Sequence, residues 1–252
     1  MKILTDKYLK EYIKNTINFD NKIKDFLYIS KEFNFDYLIE SSSVYSSNIE
    51  WNTIDLNSFM NYKLQSKKSK TKDIEEIESL IQAYNFAGQN LLTQENFLHS
   101  HFLASKTLLI NSKRWVYRDD KVWVFWKTWL IYMAIEPEFV KEKMQELFDN
   151  INYLLEKKLS NQEVFYYASF IHIIFVHIHP FADGNGRCAR LLEKWFLVSK
   201  LWDDFWKLES EKFYKENRKN YYENINLWVN YYELDYDKSI NFLLMLYKSL
   251  DR

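Results

Sequence analysis

Glycine, proline and cysteine are almost missing from this chain. Its 252 residues include three glycines, two prolines and one cysteine. A single cysteine, Cys188, excludes an internal disulfide and fits a reducing compartment; the residue reads as a small buried helix position. Charge of one sign is also missing. The 34 basic and 35 acidic residues leave a net charge of −1, which argues against a general nucleic-acid binder. No long apolar run is present. The strongest, about Trp129 to Ile135, falls far short of the ~20 residues of a membrane span. The opening Met1–Lys7 lacks the apolar centre of a signal peptide. Together these absences predict a cytoplasmic protein with no membrane and no nucleic-acid partner.

What remains is rich in apolar and aromatic residues, 47% and 19% of the chain, enough for a sizeable core. Helical spacing dominates. Ile13, Ile17, Phe19 and Ile23, then Phe26, Leu27 and Phe33, suggest two short amphipathic helices. The serines of Ser41–Asn52 fit a helix cap or a loop, and the basic run Gln65–Lys72 fits a solvated loop. A helix is expected over Asp73–Tyr84, with Gly88 ending it or easing a close contact. Thr93–Leu109 is expected as another helix, with His99 and His101 as ordinary residues. Arg114–Val124 changes period around Asp119-Asp120 and suggests strand and turn. Phe139–Leu155 carries Val140, Met144, Leu147 and Ile151 in helical register. Glu163–Val176 is apolar nearly all round, as a central helix should be. His172 and His177 read as satisfied core or near-site residues. Phe205–Tyr232 and Ile240–Leu250 complete a helical chain.

The rare residues gather in one stretch. His179-Pro180-Phe181-Ala182-Asp183-Gly184-Asn185-Gly186-Arg187-Cys188-Ala189-Arg190 holds two of the three glycines and one of the two prolines. Asp183 offers a hard carboxylate suited to Mg²⁺. Gly184-Asn185-Gly186 permits unusual backbone angles that aim N–H groups at an anion. Helical spacing resumes at Cys188, so a helix N-terminus points its positive end at the same place. Arg187 and Arg190 share a helix face and would repel each other without a polyanion, for which oligophosphate is the natural candidate. His179, with an ordinary pKa of about 6.5, suits proton transfer near neutrality. His177, His179 and Asp183 lack a further nitrogen or sulfur ligand for a transition metal.

This stretch resembles the signature of the Fic family, H-x-F-x-(D/E)-G-N-(G/K)-R-x-x-R, at every specified position. The resemblance implies a mostly α fold: a Fic-type helical bundle with a small β-hairpin flap, here within Val122–Ala134, that aligns a target peptide by β-augmentation. It also implies a division into an N-terminal helical region, 1–88, and a Fic core with C-terminal helices, 89–252, packed as one unit. The implied roles are His179 as catalytic base, Asp183 as Mg²⁺ ligand, and Gly184, Asn185, Gly186, Arg187 and Arg190 as ATP-phosphate ligands, with Phe181 as the buried anchor of the loop. Phosphate contacts of the α and β groups would fall to Arg187 and the Asn185 side chain, and the γ group to Arg190.

A second resemblance lies upstream. Ser46-x-x-x-Glu50 is similar to the family's inhibitory motif, (S/T)-x-x-x-E-(G/N), with Trp51 standing where the pattern has Gly or Asn. The motif implies that Glu50 pairs with Arg190 and keeps the γ-phosphate from docking. Arg218-x-x-Tyr221-Tyr222 looks like a recurrent C-terminal segment of the family and reads as packing. The implied activity is protein adenylylation: AMP passes from ATP to a Ser, Thr or Tyr hydroxyl of a target protein. A phosphotransferase with ATP reversed, a de-AMPylase using Glu50, and a nucleotide-sensing module are the rival expectations. Homo-oligomerisation is compatible with all of them.

Overall fold

The computed structural model describes residues 4–31, 34–65, 70–126 and 129–251. Phe33, the centre of the basic run (66–69) and residues 127–128 of the expected flap lie outside the described residues. Twelve helices follow one another among those described: α1 (Leu9–Asn15), α2 (Phe19–Ser30), α3 (Phe35–Ile49), α4 (Leu56–Leu64), α5 (Lys72–Gln89), α6 (Gln94–Ala104), α7 (Pro137–Glu156), α8 (Asn161–Ile178), α9 (Asn185–Lys200), α10 (Ser210–Glu216), α11 (Arg218–Ile225) and α12 (Ile240–Lys248). Between α6 and α7 the strands β1 (Trp123–Trp126) and β2 (Trp129–Met133) form one antiparallel hairpin, with a bulge between Val124 and Phe125. The fold is thus the expected helical bundle with a small hairpin. None of the described helices is long and apolar enough to cross a membrane.

The bundle is built around α8. Its start is fixed by a capping box, in which the Ser160 hydroxyl accepts from Glu163 N–H while the Glu163 carboxylate accepts from Ser160 N–H. Every residue from Val164 to Phe175 is buried, as its all-round apolar character requires. Helices α7, α9, α12 and α1 pack on it. One hydrophobic cluster draws side chains from Leu4 to Leu250. A second, of Val44, Phe59, Tyr62, Ile74 and Ile77, seats α3, α4 and α5 together.

Several local expectations are corrected. Ile13 and Ile17 are exposed, at 41% and 71%. The chain leaves the helix at Thr16 and turns through left-handed Asn18 (φ 58°); Tyr12 faces the core in place of Ile13 and Ile17, while Phe19, Ile23 and Phe26 face it as expected. The serine run is neither cap nor loop. It lies inside α3, with Ser41, Ser42, Ser43, Ser46 and Ser47 buried; Ser42 accepts from Lys194 and Ser46 from Arg190, both on α9. Gly88 does not end α5; it lies in the last turn under the Trp206 indole, at ordinary van der Waals distance. Residues 114–118 do not form a strand. The hairpin starts at Trp123, inside the expected flap range, because Arg118 turns inward. The expected helix over Phe205–Tyr232 breaks at Asn217 (φ −105°, ψ 31°) into α10 and α11.

Candidate active site

The site forms where α8 hands over to α9. Helix α8 ends on His179, held in the left-handed region at φ 52°, a conformation costing roughly 1–2 kcal/mol for a residue with a Cβ. Arg118 over-determines this turn. Its buried guanidinium donates to the carbonyls of His179 (2.7 Å), Asp120 (2.8 Å) and Ile135, and its backbone N–H donates to Pro180 O (2.8 Å). His179 Nδ1 lies 3.2 Å from the Val176 carbonyl. A carbonyl only accepts, so Nδ1 carries the proton and the Nε2 lone pair is left to act as a base. Burial pushes the His179 pKa down to about 4, which keeps the ring neutral near pH 7.

The loop after His179 is pinned from beneath. Phe181 is fully buried and stacks face to face on His101, with centroids 3.6 Å apart and planes 5° apart. His101 Nε2–H donates to the Asp183 carbonyl at 3.1 Å, and burial lowers its pKa to about 4. The Asn185 side chain bridges the loop to itself: Oδ1 accepts from Phe181 N–H (2.9 Å) and Nδ2 donates to Phe181 O (2.8 Å). Nδ2 carries a second hydrogen beyond the one given to Phe181 O, so the Asn185 side chain as well as its backbone can donate to an anion. Gly184 takes φ +83°, where a side chain would be strained. Asp183 is exposed at the mouth of α9, and its Oδ1 accepts from Gly184 N–H (2.6 Å).

Two arginines project from the first turns of α9, and each meets a carboxylate. Arg190 is 1% exposed. It donates from Nε to Ser46 Oγ (2.9 Å), from Nη2 to Ser46 O (3.0 Å) and Glu50 Oε1 (2.9 Å), and from Nη1 to the Tyr221 hydroxyl (3.2 Å). Arg187 Nη2 donates to Glu76 Oε1 on α5 at 2.8 Å, while its buried Nε has no hydrogen-bond partner among the described residues. Gly186 makes the Glu50 approach possible, since a Cβ there would overlap Glu50 Oε1. Burial by itself would raise the Glu50 pKa; Arg190, Arg187 and Arg218 reverse this and hold it below the ordinary value. The carboxylate therefore sits ionised at a helix N-terminus among guanidiniums, where a phosphate oxygen would also be stable.

Trp51, standing where the family pattern has Gly or Asn, takes the left-handed cap at φ 70°. Helix α3 closes as a Schellman motif: Asn52 N–H donates to Ser47 O (3.1 Å) and Trp51 N–H to Asn48 O (3.2 Å). The indole lies under the Arg218 guanidinium, 3.3 Å from its centroid, a cation–π contact that offsets part of the backbone cost. Tyr222 donates its hydroxyl proton to Ile49 O (3.1 Å). Arg218 and Tyr221-Tyr222 therefore grip the end of α3 and Arg190, beyond the packing role expected of them.

The structure brings Ser46, Glu50, Gly186, Arg187 and Arg190 together, with His179, Phe181, Asp183, Gly184 and Asn185 in the adjoining loop. Sequence reasoning missed Arg118, His101, Glu76 and the active part of Tyr221. Only the scarcity of arginine could have singled out Arg118; nothing in the spacing of α5 sets Glu76 apart. His172 and His177 are satisfied core residues as expected, with bonds to Glu193 and Tyr221, and to Tyr236 and Ile225 O. Cys188 is buried, and burial pushes its thiol up to about 12.

Comparison with known proteins agrees with this geometry. The profile of the Fic/DOC family matches residues 91–197. The chain is 34% identical over 61 residues to protein adenylyltransferase fic-1 of Caenorhabditis elegans, covering 24% of this chain and 11% of that protein. It is 56% identical over 32 residues to protein adenylyltransferase Fic of Drosophila persimilis, covering 13% of this chain and 6% of that protein. The matched stretches are thus a small part of those curated relatives. The fold is similar to a Fic family protein from Desulfovibrio desulfuricans (TM-score 0.74, 21% identity, 94% of this chain and 73% of that one). It is also similar to a Fic domain containing signaling protein from Bacteroides thetaiotaomicron (TM-score 0.65, 19% identity, 100% and 94%). A signature loop pinned between α8 and α9, a matching profile and a shared fold lead to one conclusion: the chain carries a domain of the Fic/DOC family, residues 91–197.

Proposed function

We propose that this protein is a protein adenylyltransferase that moves AMP from ATP to a Ser, Thr or Tyr hydroxyl of a target protein, and that Glu50 restrains it. The observation that carries the reading is an intact His179–Arg190 loop whose phosphate-type anion site at Arg190 is filled by the Glu50 carboxylate (2.9 Å). In this reading residues 1–88 regulate and residues 89–252 catalyse, and the cytoplasm supplies ATP and the reducing environment that Cys188 fits.

His179 Nε2 takes the proton of the target hydroxyl. The freed oxygen attacks the α-phosphorus in line, the bond from that phosphorus to the β-bridging oxygen breaks, and pyrophosphate leaves. The backbone of Gly184–Gly186 and Arg187 hold the α- and β-phosphates, and Arg190 holds the γ-phosphate once Glu50 has moved. Positioning and charge stabilisation supply most of the rate in such a site. No group of three or more His, Cys, Asp or Glu among the described residues makes a protein-only metal cage. Asp183, exposed and with one oxygen engaged by Gly184 N–H, fits a Mg²⁺ that takes its other ligands from phosphates and water. Bound there, Mg²⁺ would neutralise phosphate charge. The β1–β2 hairpin is the place for an extended target segment, held by main-chain hydrogen bonds.

The test uses wild type, Glu50→Gly and His179→Ala with Mg²⁺ and ATP labelled at the α- or γ-phosphate. α-Label on protein, strongest in Glu50→Gly and absent in His179→Ala, is the expected result. γ-Label without α-label would replace adenylyl transfer by phosphotransfer.

A further inference from the structure

Arg190 has four hydrogen-bonded groups around it, and three of them come from the segment that restrains it. Ser46 Oγ, Ser46 O and Glu50 Oε1 belong to α3 and its cap. When Glu50 withdraws, as the proposed function requires, the charged one of these three contacts is lost. The one described partner outside α3 and its cap is the Tyr221 hydroxyl on α11.

Behind Tyr221 the proton positions are determined step by step. Arginine only donates, so the Tyr221 oxygen accepts from Nη1 at 3.2 Å. From the other end, the Glu193 carboxylate only accepts, so His172 Nδ1, 2.9 Å from Oε2, carries a proton. In that tautomer Nε2 accepts the Tyr221 hydroxyl proton at 3.0 Å. Tyr214 donates to the other carboxylate oxygen, Oε1, at 2.9 Å. All donors in this chain run from Arg190 toward Glu193. His172 and Glu193 are fully buried, and Tyr214 and Tyr221 are 1% and 2% exposed. The four residues come from α8, α9, α10 and α11, and none from α3. A hydrogen-bond chain of one polarity, shut away from water, is stiffer than its separate links.

We propose that Tyr221, His172 and Glu193 are positioning residues that hold Arg190 in its phosphate-binding pose once Glu50 has withdrawn. The proposal rests on the reading that Arg190 takes the γ-phosphate. The bundle core thereby keeps this arginine aimed while the regulatory segment comes and goes, and the same Tyr221 contact serves the restrained and the released states.

The test compares ATP and ADP dissociation constants, with Mg²⁺, in the full chain carrying Glu50→Gly. Their ratio reports the γ-phosphate contact, which a merely structural role would not single out. Adding Tyr221→Phe removes one hydroxyl and keeps the ring packed on Tyr214 and Phe242. It should cut the preference for ATP about tenfold and leave ADP binding within about twofold. Glu193→Gln, which keeps the shape and weakens the polarity, should cut it roughly threefold. The positioning role is overturned if both variants, folded by thermal melt, keep the parent ratio, or if ATP and ADP weaken equally. Arg190→Ala in the same background separates the two levels. A lost preference there with none lost in Tyr221→Phe overturns the positioning role alone. A preference that survives Arg190→Ala overturns the γ-phosphate reading and the positioning role with it.

Discussion

The carboxylate of Glu50 occupies the space that a side chain on Gly186 would need, and from there it accepts from Arg190 at 2.9 Å. The two residues lie far apart in sequence, yet the absence of a Cβ at one decides whether the other can reach its arginine. Gly186→Ala should therefore displace Glu50 and leave the fold intact, because the clash is with the end of a flexible side chain. We expect a thermal midpoint within a few degrees of wild type, corresponding to less than about 1 kcal/mol. Self-labelling from α-labelled ATP should rise, though less than in Glu50→Gly. Unchanged labelling would mean that Glu50 keeps its hold from another rotamer.

Trp51 and Arg218 make a second pair whose coupling can be measured. The left-handed Trp51 is costly by itself, and the Arg218 stack at 3.3 Å offsets it. Trp51→Gly removes both the cost and the stack, so its net effect on urea unfolding should be within about 1 kcal/mol. Arg218→Ala should destabilise wild type more than it destabilises Trp51→Gly, with a coupling of about 0.5–2 kcal/mol from the double-mutant cycle. No coupling would mean that the stack contributes nothing to holding the end of α3.

Arg118 bonds four backbone carbonyls from a buried position, one of them that of His179. Charged hydrogen bonds of this kind contribute about 1.5–3 kcal/mol each, and they are not additive. Arg118→Ala should cost about 2–4 kcal/mol in chemical denaturation and abolish α-label transfer by loosening the turn that carries the base. A folded Arg118→Ala protein with full activity would remove Arg118 from the account of the site.

The pH profile follows from the sign of the His179 shift. Burial lowers its pKa to about 4, so the proton-free base is present above that value and lost only as pH falls through it. An unshifted histidine would lose the base form around pH 6.5. For Glu50→Gly, kcat/KM for ATP, which reports the free enzyme, should stay level from about pH 8 to about 5.5. A falling limb centred near pH 6.5 would show that His179 is solvated in the free enzyme.

The helix content was legible because apolar residues recur at helical spacing, most plainly in α7 and α8, where Val140, Met144, Leu147 and Ile151 face inward as expected. The errors fell where a few residues outweigh that pattern. The end of α1 at Asn15 and the left-handed Asn18 left Ile13 and Ile17 off the core face. Arg118, turned inward for its carbonyls, kept 114–118 from forming a strand. A serine run that propensity assigns to a cap became the buried face of α3.

The site divides in the same way. Residues 179–190 could be read as a unit because they are contiguous: the loop, the left-handed glycine and the first turns of α9 make their contacts within a few residues of one another. Sequence alone therefore determined the chemical groups on offer, a histidine, a carboxylate, two glycines and two arginines within twelve residues. Which partners those groups meet was decided by helix packing across the bundle. Glu50 and Ser46 reach Arg190 from α3 and its cap, Tyr221 reaches Arg190 from α11 with His172 and Glu193 behind, and Glu76 reaches Arg187 from α5. Periodicity tells which face of a helix is buried but not which helix it will be buried against, and these polar contacts depend on that choice.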